Sequence, residues 1–499
     1  MRTLLKNIGW TRPPQFINIK ESHMSQSNFY RVPLFIDGVA IQGESTLEII
    51  EPYNGRTSGA ISVPSGDQVD EAVSAAEKAF KSWGRSSAYE RSEILKRIAA
   101  GIASRKDGIV KAMTDNTGKT VRDASGEVDR SLETVLISAE EALRIEGFEV
   151  PMDSSPRGAG KVAMVRRYPI GVVAAITPFN APLNTLCHKV APALAAGNTV
   201  VHKPDVRTSP VAIMFAEIAK AAGLPDGVLN VIHGDAVVGE RLVTHPLVRV
   251  VGFTGSEAVG ERIVSIAGLR RVLLELGGNA PAIVHNDADL GKAIKDLAAA
   301  AFGMSGQSCI STQRILVHED VHDGLLDGLV EAASALKVGD PGDANTDIGP
   351  MVTEDAAKRV ESWIKEAVSQ GAKLHCGGER NGAMLSPAVL SNVNPSMTVV
   401  CKEVFGPVVS VMPYDSIDEA IEQANSTDYG LQAGLYTNSL DLVRRAMAEL
   451  RFGGVNVNLP SRWRLDHMPY GGVKRSGIGR EGPKFAIEDM MELRQIVLG

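Results

Sequence analysis

The sequence predicts an α/β fold in which parallel sheets are covered by helices on both faces. Short apolar runs typical of strands alternate with amphipathic helical runs from about residue 60 onward. The helical runs are long enough to connect one parallel strand to the next. The length of 499 residues also predicts more than one domain, with about three as the expectation from chain length.

The individual elements follow one another in a regular order. Residues 67–83 carry apolar side chains at helical spacing and predict the first helix of the series. Turn-forming residues over 154–162 and the segment ELGGN over 275–279 interrupt the alternation, so both are predicted boundaries. The runs interpreted as strands are, in chain order, VVAAITPFN, GNTVVHKP, GVLNVIHG, VRVVGFTG, QRILVHE, PVVSVMPYD and QAGLYT.

The composition excludes several classes of protein. Hydrophobic residues make up 44% and charged residues 22% of the chain, as in ordinary globular proteins. A net charge of −7 argues against nucleic acid or an anionic membrane as the main partner, and no apolar run approaches the ~18 residues of a membrane span. Four cysteines are too few for a disulfide framework, and their spacing does not suit zinc. We therefore expect a cytoplasmic protein with reduced thiols and no metal.

The amino terminus is predicted to be a tail. Residues 1–29 combine Arg2 and Lys6 with only a brief apolar patch, which lacks the core of a secretory signal. Pro13 and Pro14 interrupt any helix there. Met24 is an alternative initiator.

Two kinds of glycine-rich segment compete as dinucleotide sites. The motif G-x-G-x-x-G occurs at Gly477, Gly479 and Gly482. It lacks a clear preceding strand, and fewer residues follow it than the ~20 needed to reach an acidic partner. We interpret it as a turn that closes over the active site or packs at a subunit contact. The segments HGDAVVGERL and GFTGSEAVG instead lie between a strand and a helix, where free N–H groups can bind phosphate.

Three polar residues are candidates for catalysis, each with a structural alternative. Cys309 lies among small residues in GMSGQSCIST, so it is either an accessible nucleophile or a buried thiol. Glu275 ends an apolar strand and is either a general base, or a helix cap or salt-bridge partner of Arg270 or Arg271. Asn180 either caps a turn or donates to an oxyanion. Cys187 lies on an amphipathic helical run and is expected in the core.

Together these segments resemble the NAD(P)-dependent aldehyde dehydrogenase superfamily. The resemblance runs from about residue 32 to the carboxyl terminus, with the motifs in the family's order and approximate spacing. GQSCIS and DHMPYGGVK are most similar to the branch of lactaldehyde and phosphonoacetaldehyde dehydrogenases. The segments that carry the resemblance are ITPFNAPL, KVAPALAAGNTVVHKP, GFTGS, LELGGNAP, GQSCIS, KEVFGPVV and MPYGGVKRSGIGREG.

The resemblance implies a covalent mechanism that ends in hydrolysis. Cys309 is expected to attack the aldehyde as a thiolate, and the side chain of Asn180 with the Cys309 backbone N–H is expected to hold the oxyanion. Hydride transfer to the nicotinamide then leaves a thioester. Glu275 is expected to activate the water that releases the acid. Relatives that transfer the acyl group to coenzyme A lack a glutamate at this position, so a coenzyme A-acylating enzyme is the alternative, with an inactive binding protein of the same fold as a third possibility.

The resemblance also implies a cofactor site for NAD or NADP. Glu403 and Phe405 are expected at the nicotinamide ribose and ring. Val206 stands where members that prefer NAD often carry glutamate, and Asp205 or Arg207 could compensate in opposite directions, so the choice between NAD and NADP stays open. Ala236 replaces a glycine that is usual in the branch. The positions assigned to the cofactor are Ile176, Thr177, Pro178, Lys203, Asp205, Gly234, Gly239, Phe253, Gly255, Ser256, Leu276, Glu403 and Phe405.

The substrate loop is expected in LPSRWRLDH. Arg464 matches a basic position common in the branch, and Arg462 and Trp463 are particular to this chain. Either arginine could bind an anionic tail, with Trp463 as an apolar wall; the alternative is a surface or interface cluster. Ser308, like Ala181, leaves space beside the reacting carbon. The expected substrate is therefore a small or anionic aldehyde.

The family pattern divides the chain into a Rossmann-like cofactor domain, an α/β catalytic domain and a small oligomerisation β element. The last of these predicts a homodimer or homotetramer. The predicted boundaries are 30–144 and 165–275 for the cofactor domain, 276–466 for the catalytic domain, and 145–164 with 467–499 for the oligomerisation element.

Overall fold

The computed structural model describes residues 30–499. The predicted tail over residues 1–29 and the alternative start at Met24 lie outside the described residues. The strands, in chain order, are β1 Arg31–Val32, β2 Leu34–Ile36, β3 Val39–Ile41, β4 Ser45–Ile50, β5 Thr57–Val63, β6 Phe148–Val150, β7 Val162–Pro169, β8 Val172–Ile176, β9 Thr199–Lys203, β10 Leu229–Val231, β11 Val248–Thr254, β12 Arg271–Glu275, β13 Ala280–Val284, β14 Thr312–His318, β15 Lys373–Cys376, β16 Arg380–Asn381, β17 Met384–Leu385, β18 Ala388–Ser391, β19 Val408–Tyr414, β20 Gln432–Tyr436, β21 Gly454–Val457, β22 Gly477–Ile478 and β23 Met491–Leu498.

The helices cover the sheets. In chain order they are α1 Gly66–Trp83, α2 Ala88–Ser104, α3 Lys106–Thr117, α4 Val121–Ala142, α5 Pro182–Ala196, α6 Ser209–Ala221, α7 Ala236–Thr244, α8 Glu257–Ala267, α9 Leu290–Phe302, α10 His322–Ser334, α11 Glu354–Ser369, α12 Thr398–Cys401, α13 Ile417–Asn425, α14 Leu440–Glu449 and α15 Pro483–Asp489. Within residues 30–499 no helix is long and apolar enough to cross a membrane.

The first large sheet has eight strands in the order β22-β12-β11-β8-β9-β10-β2-β3. Its five central strands, β12 to β10, are parallel to one another. The outer strands β22, β2 and β3 are antiparallel to their neighbours. Alternate residues of β8 enter different cores, Val173 and Ala175 on one face and Val172 and Ala174 on the other. The predicted α/β fold, with parallel strands buried on both faces, is confirmed.

The second large sheet has seven strands in the order β15-β18-β19-β14-β13-β20-β21. All of its pairs are parallel except β15 with β18. Ile283 of β13 packs into one apolar cluster, while Ala282 and Val284 pack into another. This sheet is therefore also buried between two helical layers.

A third sheet, in the order β23-β7-β6, is antiparallel. Strand β23 pairs with β7 along its whole length, from Met491 opposite Pro169 to Leu498 opposite Val162. These strands come from the two segments assigned to the oligomerisation element, with β7 continuing beyond residue 164 and β22 of the C-terminal segment joining the first sheet. The division into domains stays a prediction.

The two large sheets meet at one short connection. Strand β12 ends at Glu275, and the chain passes through Gly277 and Gly278 directly into β13. A Cβ atom on Gly278 would lie 2.1 Å from the carbonyl oxygen of Cys309, so only glycine permits this approach. The carboxyl ends of the first sheet therefore face the segment that leads into β14.

Candidate active site

Cys309 lies in a turn between helix α9 and strand β14. A short 3-10 turn over Gly303–Gly306 separates the end of this helix from Cys309. Cys309 is partly exposed, whereas Cys187 on helix α5 is fully buried, as expected. Of these two thiols, only Cys309 is open to a small molecule.

The backbone before Cys309 takes an unusual path. Met304, Ser305 and Gly306 have φ values of 57°, 56° and 67°. These values lie in the left-handed region, which residues other than glycine rarely adopt. Contacts hold the segment there: the Ser305 hydroxyl donates to the carbonyl of Gly349 at 2.7 Å, and the side-chain oxygen of Gln307 accepts from the Val352 N–H at 2.9 Å. Such conformations persist only where the surroundings determine them, as around a functional site.

Asn180 is brought next to this turn from the loop after strand β8. Its side-chain N–H₂ donates to the carbonyl oxygen of Gln307 at 3.0 Å. An amide has two N–H groups, so one remains for another acceptor. Within residues 30–499, the backbone N–H of Cys309 donates to no protein acceptor. The Asn180 amide and this backbone N–H are thus free donors at the turn that carries Cys309.

Glu275 ends strand β12 and is 4% exposed. Its Oε2 atom has no hydrogen-bond partner among the described residues. The alternative salt bridges do not form, because Arg270 and Arg271 both donate to backbone carbonyls instead. Burial raises the pKa of Glu275 well above its usual range, and the negative charge of Glu481 adds to this. A buried carboxyl with a free oxygen is suited to proton transfer.

Glu275 faces a buried charged cluster that sequence reasoning missed. Lys189 of helix α5 lies 3.4 Å from a carboxylate oxygen of Glu481, and Arg464 lies 3.6 Å from the other oxygen. Although burial alone would raise the pKa of Glu481, the charges of His188, Lys189 and Arg464 lower it. Glu275 and Glu481 are thus two buried carboxyls whose pKa values move in opposite directions.

The glycine-rich C-terminal segment packs against the same strand. Gly477 pairs with Glu275 and Ile478 with Leu274 in an antiparallel ladder. A Cβ atom on Gly471 would lie 3.1 Å from the Oε1 atom of Glu275. The G-x-G-x-x-G motif therefore lies at the active site as a closing turn, in agreement with one of the two roles expected for it.

Most of the residues assigned to the cofactor lie at the carboxyl ends of the parallel strands of the first sheet. Ile176 and Lys203 end neighbouring strands, and the Thr177 N–H donates to the Lys203 carbonyl at 3.1 Å. The Lys203 ammonium has no hydrogen-bond or ion-pair partner within residues 30–499, and burial lowers its pKa. An unpaired, partly buried cation at this edge fits a polar or anionic ligand.

Helices α7 and α8, which follow strands β10 and β11, differ at their first turns. The Asp235 carboxylate already accepts the N–H groups of Val237 and Val238 at the start of α7. The first turn of α8, preceded by Ser256, has no side-chain cap. A phosphate therefore finds free N–H donors at α8 rather than at α7. Gly234 and Gly239 border the occupied turn, and a Cβ on Gly239 would lie 3.7 Å from the Lys203 side chain.

Three further positions assigned to the cofactor are apolar or glycine. The side chain of Phe253 is 5% exposed and packs within the core, and a Cβ atom on Gly255 would lie 2.4 Å from its ring. Leu276 is also buried, against Gly260 of helix α8. Gly255 is thus required for the Phe253 ring to fold beneath the loop, and these side chains shape the loop from below.

Glu403 and Phe405 approach from the second sheet. The Gly278 N–H donates to a carboxylate oxygen of Glu403 at 2.9 Å, which joins this loop to the connection between the sheets. Burial raises the pKa of Glu403 to about 7, opposed by that hydrogen bond. The Phe405 ring meets Phe179, next to Pro178 and Asn180, edge to face at 5.9 Å. Both residues therefore border the cleft between the two sheets.

The segment expected at the adenosine ribose contains Asp205, Val206 and Arg207. The Asp205 carboxylate accepts the Arg207 N–H at 2.9 Å and lies 3.5 Å from the Arg207 guanidinium. Because these two side chains neutralise each other, neither is available as an unopposed charge. Val206 between them offers neither an acceptor for a ribose diol nor a charge toward a 2′-phosphate.

The loop 460–466 places the residues predicted to contact the substrate close to Cys309. The Ser461 hydroxyl donates to the carbonyl of Ile310 at 3.0 Å, which fixes the loop beside Cys309 and Ser308. The Arg462 guanidinium donates to the carbonyl of Ala299 at 3.2 Å, near the end of helix α9. Trp463 is 39% exposed. Within residues 30–499 no carboxylate lies within ion-pair distance of Arg462, so its charge is unopposed at short range.

Arg464 has a different environment from Arg462. Its guanidinium lies 3.8 Å from the centre of the Tyr470 ring and 2.8 Å from His188 Nε2. Asp466 and Glu481 both lie within ion-pair distance. The charge of Arg464 is thus neutralised by two buried carboxylates, which makes it a poorer anion site than Arg462.

Two further residues near this loop were missed by sequence reasoning. Arg130 of helix α4 makes a two-pronged ion pair with Asp466, at 2.6 and 3.1 Å. Asp466 is also 3.0 Å from His188 Nε2. Burial alone would raise the pKa of Asp466, but the hydrogen bonds from His188 and Arg130 hold it well below its usual range. Burial lowers the pKa of Arg462, the charge of Asp123 raises it and that of Arg130 lowers it.

The arrangement combines the groups needed for acyl chemistry at a cysteine. A partly exposed thiol, two free N–H donors and a buried carboxyl with an unpaired oxygen lie where the two sheets meet. Within residues 30–499 no group of three or more His, Cys, Asp or Glu side chains could hold a metal ion.

The chain is similar to known proteins over most of its length. Residues 39–496 match the model of the aldehyde dehydrogenase family. A 3-sulfolactaldehyde dehydrogenase of Priestia aryabhattai is 48% identical over 93% of this chain and 97% of its own length. A lactaldehyde dehydrogenase of Methanococcus aeolicus is 35% identical over 93% and 99%. The crystal structure of the NADP-dependent glyceraldehyde-3-phosphate dehydrogenase from Bacillus halodurans, complexed with NADP, superposes with a TM-score of 0.92 at 36% identity, covering 94% of this chain and 99% of that one.

Proposed function

The chain belongs to the aldehyde dehydrogenase family and is an NAD(P)-dependent aldehyde dehydrogenase, and we propose that it oxidises a small anionic aldehyde to the carboxylic acid by a hydrolytic route. The observation that carries the hydrolytic part is the buried Glu275 carboxyl, whose Oε2 atom has no hydrogen-bond partner within residues 30–499. The observation that favours an anionic substrate is the unopposed Arg462 guanidinium on the loop beside Cys309.

In the first step, the Cys309 thiolate forms a bond to the aldehyde carbon, and the carbonyl oxygen becomes an oxyanion. The free N–H of Asn180 and the Cys309 backbone N–H would donate to this oxygen. Such preorganised donors commonly contribute about 3–4 kcal/mol each to transition-state stabilisation. Burial, together with the charges of Glu403 and Glu275, raises the pKa of the Cys309 thiol to about 12, so the thiolate needs stabilising partners.

NAD(P)+, when bound, accepts the hydride of the aldehyde carbon. The residues that would hold it are Lys203 and the free first turn of helix α8 in the first sheet, with Glu403 and Phe405 from the second. The unpaired Lys203 ammonium and the uncapped α8 turn fit a ligand with phosphate groups.

Release of the product requires water at the thioester. Glu275 would take a proton from that water as the oxygen bonds to the acyl carbon, and the sulfur of Cys309 leaves as a thiolate. Burial has the largest effect on the pKa of Glu275 and raises it; the charge of Glu481 raises it further, and that of Lys189 lowers it. Only the ionised carboxylate can take the proton, so hydrolysis should accelerate as the pH rises through this raised pKa.

The substrate class is supported by the charges at the entrance. Arg462 and Arg130 are both cationic, and only Arg130 is paired, to Asp466. A sulfonate or carboxylate on the aldehyde tail would complete the hydrogen bonds of Arg462, with Trp463 beside it. The relative from Priestia aryabhattai is named for a sulfonated aldehyde and the one from Methanococcus aeolicus for lactaldehyde. We propose a 2-hydroxyaldehyde with an anionic tail, of the 3-sulfolactaldehyde type.

A substrate panel tests this proposal. 3-Sulfolactaldehyde, lactaldehyde and propanal should each be assayed with NAD and NADP, with and without coenzyme A. We expect kcat/KM to be at least about tenfold higher for the sulfonated aldehyde than for lactaldehyde, and no requirement for coenzyme A. Higher kcat/KM for the neutral aldehydes would contradict the anionic class. Formation of NAD(P)H only with coenzyme A would favour the acylating alternative.

The third sheet supports assembly into a homodimer or a tetramer of dimers. Its strands expose Phe148, Leu493, Val497 and Leu498, each about half exposed. An apolar antiparallel edge of this kind is a suitable surface for pairing with a second copy. Light scattering should give a mass of two or four chains, and a monomer at micromolar concentration would contradict the proposal.

A further inference from the structure

The hydroxyl of Tyr470 lies 3.0 Å from the Sγ atom of Cys309. Within residues 30–499 this hydroxyl has no other hydrogen-bond partner. In the thiol form either group can donate, but a thiolate can only accept. Deprotonation of Cys309 would therefore turn this contact into a charge-assisted hydrogen bond donated by the tyrosine.

Tyr470 is held so that its hydroxyl stays at this position. Its backbone N–H donates to the carbonyl of Glu481 at 3.1 Å, and the Glu481 N–H donates back to the Tyr470 carbonyl at 2.6 Å. The ring is 4% exposed and packs with Ile310 and Leu431. Apolar, dry surroundings strengthen a hydrogen bond to a charged acceptor.

Arg464 lies over the face of the same ring, with its guanidinium carbon 3.8 Å from the centroid. Asp466 and Glu481 hold the guanidinium from its edges. A cation over the ring face attracts the π electrons. It thereby makes the phenolic hydrogen more positive and the hydroxyl a stronger donor.

The charges that surround Cys309 show why such a donor is needed. Glu403 and Glu275 both disfavour the thiolate, in addition to the burial of the sulfur. Arg464 and the Tyr470 hydroxyl act in the opposite direction. Tyr470 is the only one of these groups whose hydrogen bond reaches the sulfur within the described residues.

We propose that Tyr470 is a catalytic residue whose hydroxyl donates a hydrogen bond to the Cys309 thiolate, and that Arg464 is a positioning residue that strengthens this bond through the ring. Tyr470 keeps its own proton throughout, and the proton of the thiol leaves to solvent or base. This inference rests on the proposed role of Cys309 as the nucleophile. It adds a group to the site that has no part in the oxyanion and water-activation steps.

The test measures the thiolate without aldehyde or cofactor. The full-length protein is treated with iodoacetamide between pH 6 and 10, and alkylation of Cys309 is followed by peptide mass spectrometry. In Tyr470→Phe we expect at least about a tenfold slower reaction at every pH in this range. Below the pKa of the thiol the rate follows the ionised fraction of Cys309, so the whole profile moves to higher pH. Tyr168→Phe is the matched control, because Arg494 lies over the Tyr168 ring at 4.2 Å, on a strand of the third sheet. It should leave the profile unchanged.

A profile of Tyr470→Phe that superposes on the wild type, or moves to lower pH, would overturn the catalytic role. Melting temperatures of both variants serve to separate a folding defect from the loss of the hydroxyl. If Tyr470→Phe is unfolded at the assay temperature, the measurement is made at the highest temperature at which its circular dichroism matches the wild type. The same criteria then apply to the profile.

The role of Arg464 is tested through coupling. Arg464→Lys should slow alkylation in the wild-type background and have little further effect in Tyr470→Phe, because the hydroxyl through which it acts is missing. Equal effects in both backgrounds would overturn the positioning role in favour of a direct charge effect. A wild-type protein that oxidises no aldehyde would contradict the proposed function, while the alkylation result would still decide the role of Tyr470.

Discussion

The replacement Arg462→Met should separate anionic from neutral aldehydes. Methionine keeps most of the length and apolar contact of the arginine stem but removes the charge and all five N–H donors. Among the described residues, the one hydrogen bond of the guanidinium is to the carbonyl of Ala299, at 3.2 Å. Loss of one such hydrogen bond costs about 1 kcal/mol, so the protein should stay folded.

The expected effect on catalysis is larger and selective. A hydrogen bond to a charged group contributes about 1.5–3 kcal/mol, which corresponds to about 10–150-fold in kcat/KM. We expect a decrease of this size for 3-sulfolactaldehyde, mainly through KM, because the tail contact forms equally in the ground and transition states. For lactaldehyde, which has no anionic tail, the change should be less than about threefold.

The assay is initial-rate formation of NAD(P)H with each aldehyde, at matched ionic strength. Arg130→Met is the comparison variant. Because Arg130 is paired with Asp466 at 2.6 Å, its loss disturbs the loop itself and should reduce the rate with both aldehydes. An equal loss for both aldehydes in Arg462→Met would refute the reasoning, as would an undiminished rate with the sulfonated substrate.

Two further predictions concern the cofactor and the support of the site. Val206→Glu places a carboxylate where the Asp205 and Arg207 charges cancel. The ratio of kcat/KM for NAD over that for NADP should rise at least about tenfold, because the new carboxylate repels the 2′-phosphate. An unchanged ratio would show that position 206 does not face the ribose. Glu127→Ala removes the ion-pair partner of the buried Lys119 and the acceptor of two N–H groups at the start of α5, those of Leu183 and Asn184. Urea titration should show a loss of about 3–5 kcal/mol in the free energy of unfolding. The double variant Lys119→Met/Glu127→Gln should recover part of this loss.

Local sequence patterns were sufficient for the elements and for the α/β class. The helix predicted over 67–83 is observed as Gly66–Trp83, and the strand interpreted in VVAAITPFN is observed as β8. These elements have strong periodicity and bury one or both faces, so pattern and structure share one cause. The placement of Glu275 at a strand end follows from the apolar residues 272–274 that precede it.

Contacts distant in sequence were not predictable from such patterns. Tyr470 and Cys309 are separated by 161 positions, and Arg130 and Asp466 by 336. The segment DHMPYGGVK contains both Asp466 and Tyr470, and in the sequence it indicates only a family resemblance. Nothing in its local pattern indicates that the tyrosine hydroxyl meets a sulfur or that the aspartate collects Arg130, His188 and Arg464.

One charge assignment required the three-dimensional structure. Arg462 and Arg464 are two positions apart, and the sequence offered both as anion sites. The structure surrounds Arg464 with Asp466 and Glu481 and leaves Arg462 without a carboxylate at ion-pair distance among the described residues. The distinction depends on Glu481, which reaches the site from the closing turn after β22.

The most direct test of the hydrolytic mechanism is a pre-steady-state measurement on Glu275→Gln. After rapid mixing with the substrate and NAD(P)+, we predict a burst of about one NAD(P)H per active site followed by a steady-state rate reduced at least about a hundredfold, because the thioester forms but water is not activated. Cys309→Ala should show neither burst nor turnover. A steady-state rate in Glu275→Gln equal to that of the wild type would contradict the assignment of Glu275 as the base.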